Sequence, residues 1–192
     1  MQSILLKQAY RLLNHGPTVL VGSAHGGRVN VMAAAWAMPL DFDPPKVAVV
    51  IDKATLTRTL VEASGCLSLN VPPVAMADAV MMLGTWSGHD HADKLAHSGI
   101  SVTLDADTGV PRVDGCIAQL VCRVLPTSAQ VAAAHDLFLA EVVHAWADPR
   151  VFSQGRWQFD QADDALRSLH YIAGGQFYAI GAGVTAQTPA TP

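Results

Sequence analysis

A glycine pair between two apolar runs constrains this chain more than any other feature. Residues 18–24 (TVLVGSA) and 28–35 (RVNVMAAA) flank His25-Gly26-Gly27. Glycine supplies the positive φ of a tight turn, so the spacing predicts an antiparallel hairpin. After the Asp43-Pro44-Pro45 punctuation a third strand is expected over 46–52 (KVAVVID). Residues 55–64 (TLTRTLVEAS) read as a short helix, with a threonine cap at the start and Gly65 at the end, and 66–71 (CLSLNV) return as a strand. A methionine-rich helical segment is expected over 74–83, a loop over 84–91, and strands over 100–104, 116–125, 137–147 and 176–181. Leu5, Leu6, Ala9, Leu12 and Leu13 recur at helical spacing, so an amphipathic helix is expected to open the chain and close near Gly16-Pro17. Hairpin-linked strands outnumber helices and no regular βαβα alternation appears. The fold class is therefore mainly β (α+β), an antiparallel barrel with peripheral helices rather than a doubly wound parallel sheet.

Composition narrows the function classes. The chain has 192 residues, 51% of them hydrophobic and only 15% charged, against roughly 25% charged in an average soluble domain. Alanine supplies 30 positions. That composition excludes disorder for the body of the chain and fits one domain over 1–184, with a disordered tail over 185–192 (TAQTPATP). The longest apolar run, 31–40, is far shorter than the ~18 residues of a spanning helix, so no membrane partner is expected. An apolar surplus without a membrane segment fits burial in a self-association interface, although an alanine-rich sequence is also hydrophobic without one. A net charge of -4, with no basic run, argues against nucleic acid, whose phosphates need clustered cations. Lys7 breaks the apolar start MQSILLKQAYRLL, which does not read as a secretory signal, and Cys66, Cys116 and Cys122 include no C-x-x-C pair and sit among apolar neighbours. The expected compartment is the cytoplasm, with reduced core thiols.

Several chemical motifs fail on spacing. No G-x-x-x-x-G-K-[ST] occurs, and the glycines of 22–27 lead into a strand rather than a helix, which removes both phosphate-cradling loops. His89, His91, Asp93 and His97 cluster in sequence, but no cysteine or further carboxylate completes a ligand spacing, so they read as a polar loop and no metal is expected. Ser87 lacks a G-x-S-x-G elbow. Two segments stand out instead. Met32, Ala33, Ala34 and Ala35, followed by Trp36, offer little side-chain bulk, so a flat ring can lie against that backbone, or another strand or subunit can pack closely there. Thr55, Thr57 and Arg58 place two hydroxyls and a cation at a helix start, where amides and dipole favour an anion; an ordinary cap with a solvated arginine uses the same residues.

Taken together, five stretches resemble the flavin reductase-like family with the FMN-binding split barrel, and within it the flavoredoxin-like branch. They are NVMAAAWAMPLDFDPP (30–45), TLTRTLVEASGCLSLNVP (55–72), SGHDHADKL (87–95), AHDLFLAEV (134–142) and LHYIAGGQFYAIG (169–181). Each alone is weak; five in register are specific, and they span nearly the whole chain. The resemblance implies a homodimer of antiparallel split barrels that bind FMN in a groove near the dimer interface. It implies a flavin shell with Asn30 at the ring edge or ribityl chain and Trp36 packed on or beside the ring. Thr57 would meet the phosphate with Thr55 and Arg58 as helpers, Lys94 would add a point charge, and Tyr171 would precede the glycine pair. His135, placed at the start of a strand, would be a flavin contact or a nicotinamide-side residue; without the resemblance it reads as an ordinary polar group. Asp41 departs from the serine frequent at its position, and Ala54 offers no polar group beside Lys53, so finer phosphate and ring contacts differ from the family pattern. The implied activity is hydride transfer from NADH or NADPH to FMN, with electrons passed on to a partner monooxygenase or redox protein. The alternative is a flavoredoxin-type FMN electron carrier without its own nicotinamide site, and a weaker one is a barrel that holds haem. Hydride transfer itself needs no acid or base, so no catalytic residue is named.

Overall fold

The computed structural model describes residues 1–12 and 16–187. It begins with β1 (Gln2–Ser3) and a 3-10 helix over Leu6–Leu12, where the leucine spacing predicts an α-helix. That segment carries no acidic residue in its first turn, and short uncapped pieces commonly settle into the tighter 3-10 geometry. Leu13 lies outside the described residues, and so do 188–192 of the expected tail, whose first residues, 185–187, carry no regular structure.

The glycine hairpin forms as expected. Gly26 and Gly27 take φ of +57° and +78° and join β2 (Val19–His25) to β3 (Arg28–Ala34), with His25 opposite Arg28. Next come β4 (Ala37–Phe42) and β5 (Pro45–Val50). Pro39 lies inside β4 and hides that strand from a sequence reading; proline is tolerated there because β4 is an edge strand. Helix α1 (Leu56–Ser64) keeps its expected boundaries: Thr55 Oγ1 accepts from the Arg58 amide at 3.2 Å, and Gly65 closes the helix at φ +68°. Then follow β6 (Cys66–Val71), a 3-10 turn at Val74–Met76, α2 (Ala77–Thr85), α3 (Lys94–Ser98), β7 (Val102–Leu104), β8 (Pro111–Val113) and β9 (Ala118–Val124). Helix α4 (Ser128–His135) leads into β10 (Leu137–Ala147), followed by the small hairpins β11 (Phe152–Ser153) with β12 (Arg156–Trp157), and β13 (Leu169–Ala173) with β14 (Gln176–Ala179).

The main sheet is antiparallel throughout, in the order β3-β2-β6-β9-β10-β5-β4, with β1 on the end of β10. Its two edge strands, β3 and β4, are consecutive in sequence and joined only by Ala35 and Trp36. Two residues span less than ~11 Å even when extended, so the sheet must curl until its edges nearly meet. The core confirms the curl. Val19 and Val21 from β2, Val47 and Val49 from β5, Leu67 and Leu69 from β6, and Leu120 and Cys122 from β9 alternate along their strands into one buried cluster. No pairing joins β3 to β4 among the described residues, so the barrel is split along that seam. On the outer face of β2 and β3, Leu20 and Val31 pack with Val80 and Leu83 of α2 and with Val113. This is the mainly antiparallel architecture with peripheral helices that the sequence predicts.

Candidate functional site

The open seam holds a cleft of about 760 Å³. One wall is the run Met32-Ala33-Ala34-Ala35-Trp36, where the chain turns from β3 towards β4. The turn is pinned on its β4 side, where the Val50 amide donates to the Trp36 carbonyl at 3.0 Å and extends the β4–β5 ladder by one bond. Helix α2 supplies a second wall through Val80, Met81, Gly84 and Thr85. Gly84 packs closely on β3: a Cβ there would stand a tight 3.2 Å from the Ala33 methyl. The β13–β14 hairpin closes a third side with Tyr171 and Phe177, whose rings tilt together at 5.4 Å. Thr18 ties that hairpin to the barrel: its amide donates to the Leu169 carbonyl at 2.7 Å, and its hydroxyl accepts from the Tyr171 amide at 2.9 Å. Val50, Asp52, His135 and Asp136 complete the rim.

Seven of the residues singled out in the sequence therefore line one cavity: Met32, Ala33, Ala34, Ala35, Trp36, His135 and Tyr171. His135 arrives by a different route from the expected strand start. It is the last residue of α4, and Asp136 follows it in the left-handed conformation at φ 57° before β10 begins. The alanine-rich stretch 128–135 has no polar and apolar face to announce a helix. Gly84 and Thr85 fall past the expected helix end, because α2 runs on to Thr85, and Met81 lies in an expected helix whose sequence does not say which face meets the cleft. Asp136 and Phe177, in contrast, lie inside two of the stretches that carry the family resemblance.

The other five residues do not line the cleft. Asn30 and Thr57 form a buried pair, with Asn30 Nδ2 donating to Thr57 Oγ1 at 2.8 Å. Gly88 is pressed against them: a Cβ on it would come within 2.6 Å of Asn30 Oδ1 and 2.8 Å of a Leu56 methyl. Lys94 opens α3 and is 3% exposed. Its Nζ donates to the carbonyls of Leu83 at 3.3 Å and Trp86 at 3.0 Å, which stitches the loop after α2 to the helix end. Among the described residues no carboxylate pairs with it, and burial pulls the ammonium down to about 8. Trp86 in turn stacks on His91 at 4.5 Å and lies 5.6 Å from the His97 ring, so two of the clustered histidines brace this loop. Thr55 serves as the helix cap, its hydroxyl donating to the Asp52 carbonyl at 2.8 Å.

Arg58 behaves unlike the solvated or phosphate-facing cation of the sequence reading. It is 7% exposed and committed to protein acceptors. Nη1 donates to the Ile51 carbonyl at 3.1 Å and Asp136 Oδ1 at 2.8 Å, Nη2 to the Ala132 carbonyl at 3.0 Å, and Nε to Glu62. Burial works against its charge, but hydrogen bonds to Glu62 and Asp136 outweigh that cost and hold the guanidinium above its ordinary value. The cation also rests 4.9 Å from the centre of the Phe138 ring. Arg58 thus clamps α1, the end of β5, α4 and the start of β10 together, directly behind the His135-Asp136 rim.

The cleft suits a planar heteroaromatic ring. Its walls are small or apolar, with aromatic groups at Trp36 and Tyr171, and the unpaired edge of β3 carries backbone amides and carbonyls that can meet polar ring atoms. Known proteins share this sequence pattern and fold. Residues 11–174 match the model of the "Flavin reductase like domain". The protein YddH of Escherichia coli (strain K12) is 48% identical over 187 residues, which cover 95% of this chain and 96% of that one. The crystal structure of an FMN-binding domain of a flavin reductases-like enzyme from Shewanella baltica OS155 is 49% identical, covers 97% of each chain and superposes with a TM-score of 0.94. The flavoredoxin of Desulfovibrio vulgaris (Miyazaki F), at 23% identity and a TM-score of 0.77 over 91% of this chain and 92% of that one, shares the fold.

Proposed function

We infer that this chain, which belongs to the flavin reductase like domain family, binds FMN with its ring in the seam cleft and passes electrons from a reduced nicotinamide, NADH or NADPH, to an acceptor protein. The observation that carries this reading is the cleft itself, a slot in a split barrel floored by Ala33, Ala34 and Ala35 and rimmed by Trp36 and Tyr171. Bound FMN would supply the two-electron chemistry of the site.

The protein residues have simpler tasks. The alanine run keeps side chains out of the ring plane, and Trp36 and Tyr171 pack on or beside an aromatic surface. Asn30 and Thr57, held by one another, offer preformed polar groups towards the ribityl and phosphate end. Lys94 brings a buried positive charge, held at the carbonyls of Leu83 and Trp86 at the end of α2, and a phosphate is its natural counter-charge. Arg58 is assigned the fixing of the cleft rim rather than direct contact with phosphate. His135, on the cleft rim, would contact either the flavin or the nicotinamide.

The same reading includes a homodimer. Trp36, just before edge strand β4, and Met38, Leu40 and Phe42 at alternate positions along it are 75%, 55%, 46% and 66% exposed. Such a stripe beside an unpaired edge invites a second copy. A monooxygenase component or another redox protein is the acceptor class. The thiols of Cys66, Cys116 and Cys122, buried and unpaired, suit a reducing, cytoplasmic compartment. Among the described residues no helix is long and apolar enough to cross a membrane.

One absorption experiment tests the reading. The purified chain with one equivalent of FMN should shift and sharpen the flavin bands, and NADH or NADPH should then bleach them. Flavin that binds without being bleached replaces the reductase with an electron carrier. Flavin that does not bind at all removes both.

A further inference from the structure

A second pocket, of about 330 Å³, shares no lining residue with the cleft. It opens where the β7–β8 hairpin meets β9 and the end of β10, and its polar lining includes Thr103, Arg112, Asp114, Gln119, Asp148 and Arg150. The two arginines differ sharply. Arg150 is fully engaged with Asp148: its Nε lies 3.0 Å from each carboxylate oxygen and its Nη2 lies 2.6 Å from Oδ2. Among the described residues Arg112 forms no ion pair with a carboxylate. Its guanidinium lies 4.3 Å from the centre of the Trp146 ring, Nη1 reaches only Gln119 Oε1 at 3.5 Å, and Nε is enclosed with no acceptor.

The neighbouring groups are occupied elsewhere. Asp114 Oδ1 accepts from the Thr103 hydroxyl at 2.9 Å. The Gln119 amide nitrogen donates to the Val113 carbonyl at 2.7 Å, which fixes the orientation in which its oxygen faces Arg112. Enclosed charged donors are costly to leave unmade, and native proteins satisfy almost all of them. The indole also fixes the plane of the guanidinium, so its in-plane fork is ordered before anything binds.

We propose that this pocket binds a small oxyanion, a carboxylate or phosphate group, on the fork of Arg112 stacked against Trp146. A planar fork matches the paired oxygens of either group, and the Asp148–Arg150 pair leaves Arg112 as the lining arginine with donors to spare. The site lies outside the cleft and does not depend on flavin.

The test is a titration of the ¹⁵N-labelled full chain, read at the arginine Nε–H resonances, with sodium succinate, inorganic phosphate and, at matched ionic strength, sodium chloride. The Arg112 resonance should move saturably, with a half-saturation on the order of 1 mM, the usual range for a small, weakly held ligand, while Arg150 and Arg58 stay in place. Saturation by succinate alone assigns a carboxylate, and saturation by phosphate alone a phosphate. Arg112→Lys keeps the charge but loses the fork, so binding read at the Trp146 indole N–H should weaken about tenfold. A shift that does not saturate with either anion overturns the proposal, and so does an equal shift with chloride. The wild-type titration decides the matter by itself if the variant does not fold.

Discussion

The two ends of the expected cofactor shell are built on opposite plans. At the ring end, Met32 to Trp36 lie on an open seam, and Trp36 is 75% exposed. At the other end Thr57 is fully buried and Asn30, Arg58 and Lys94 nearly so, each held to protein partners. A ring is received by shape, which small residues supply by being absent. A charged or polar group is received by prearranged partners, which must be held in place before the ligand arrives. The first plan costs little stability; the second places charge and polarity in the interior and has to compensate for it.

Arg58 gives that contrast its largest expected effect. Removing one partner of a fully buried ion pair costs ~3–5 kcal/mol; Arg58 is buried but the Asp136 side chain is 29% exposed, so the lower end of that range applies. Arg58→Ala would strand Asp136 together with the carbonyls of Ile51 and Ala132. The expected loss of melting temperature is roughly 10 °C for a chain of this size, accompanied by weaker flavin binding as the His135-Asp136 rim loosens. Calorimetry on wild type and variant checks it. A melting temperature within a degree or two would mean that the clamp is ornamental and the two ends are not built differently.

Lys94 sharpens the comparison through pH. Its folded value of about 8 lies below the ordinary 10.5 because burial disfavours the ammonium. Between those values the unfolded chain binds more protons than the folded one, so stability should rise as pH increases from about 8 to 10.5 and stay flat below 8. The shift corresponds to roughly 3 kcal/mol at most. Denaturant melts across that window should show the rise in wild type and lose it in Lys94→Met. Flavin affinity should run the other way: a bound phosphate favours the ammonium, so FMN should bind more weakly as pH passes upward through 8, and Lys94→Met should abolish that dependence. Affinity that is flat with pH would detach Lys94 from the phosphate.

The same contrast explains what could be read from the sequence. Helix α1 was legible because its signals are local: a Thr55 cap three residues from the amide it serves, and Gly65 at the end. Strand β10, expected over 137–147, appears over Leu137–Ala147 because alternation along one strand needs no knowledge of its neighbours. The ring wall was legible for a similar reason, since five consecutive residues supply it. The role of Arg58 was not, because Asp136 and Ala132 lie 78 and 74 residues away and no local pattern distinguishes a clamp from a solvated arginine at a helix start. Strand β4 was hidden by Pro39, and α4 by a run of alanines that announces neither period. The seam itself emerges only when β3 and β4, neighbours in sequence, turn out to be opposite edges of one sheet.

Trp36 should show the smallest effect on stability and still separate the two plans. Three-quarters exposed, it contributes little to the fold, and surface substitutions of that kind usually fall within ~0.5 kcal/mol. Trp36→Ala should therefore melt within a degree or two of wild type. An aromatic pair contributes ~0.5–1.5 kcal/mol beyond the area it buries, so loss of the indole from the ring wall should weaken FMN binding about tenfold, measured by quenching of flavin fluorescence. The indole also heads the β4 stripe, and sedimentation of the same variant reports whether Met38, Leu40 and Phe42 suffice to hold a second copy. A variant that binds FMN as tightly as wild type would move the ring away from this wall. One that unfolds would show that the open end of the site is structural after all, and the contrast with the buried end would collapse.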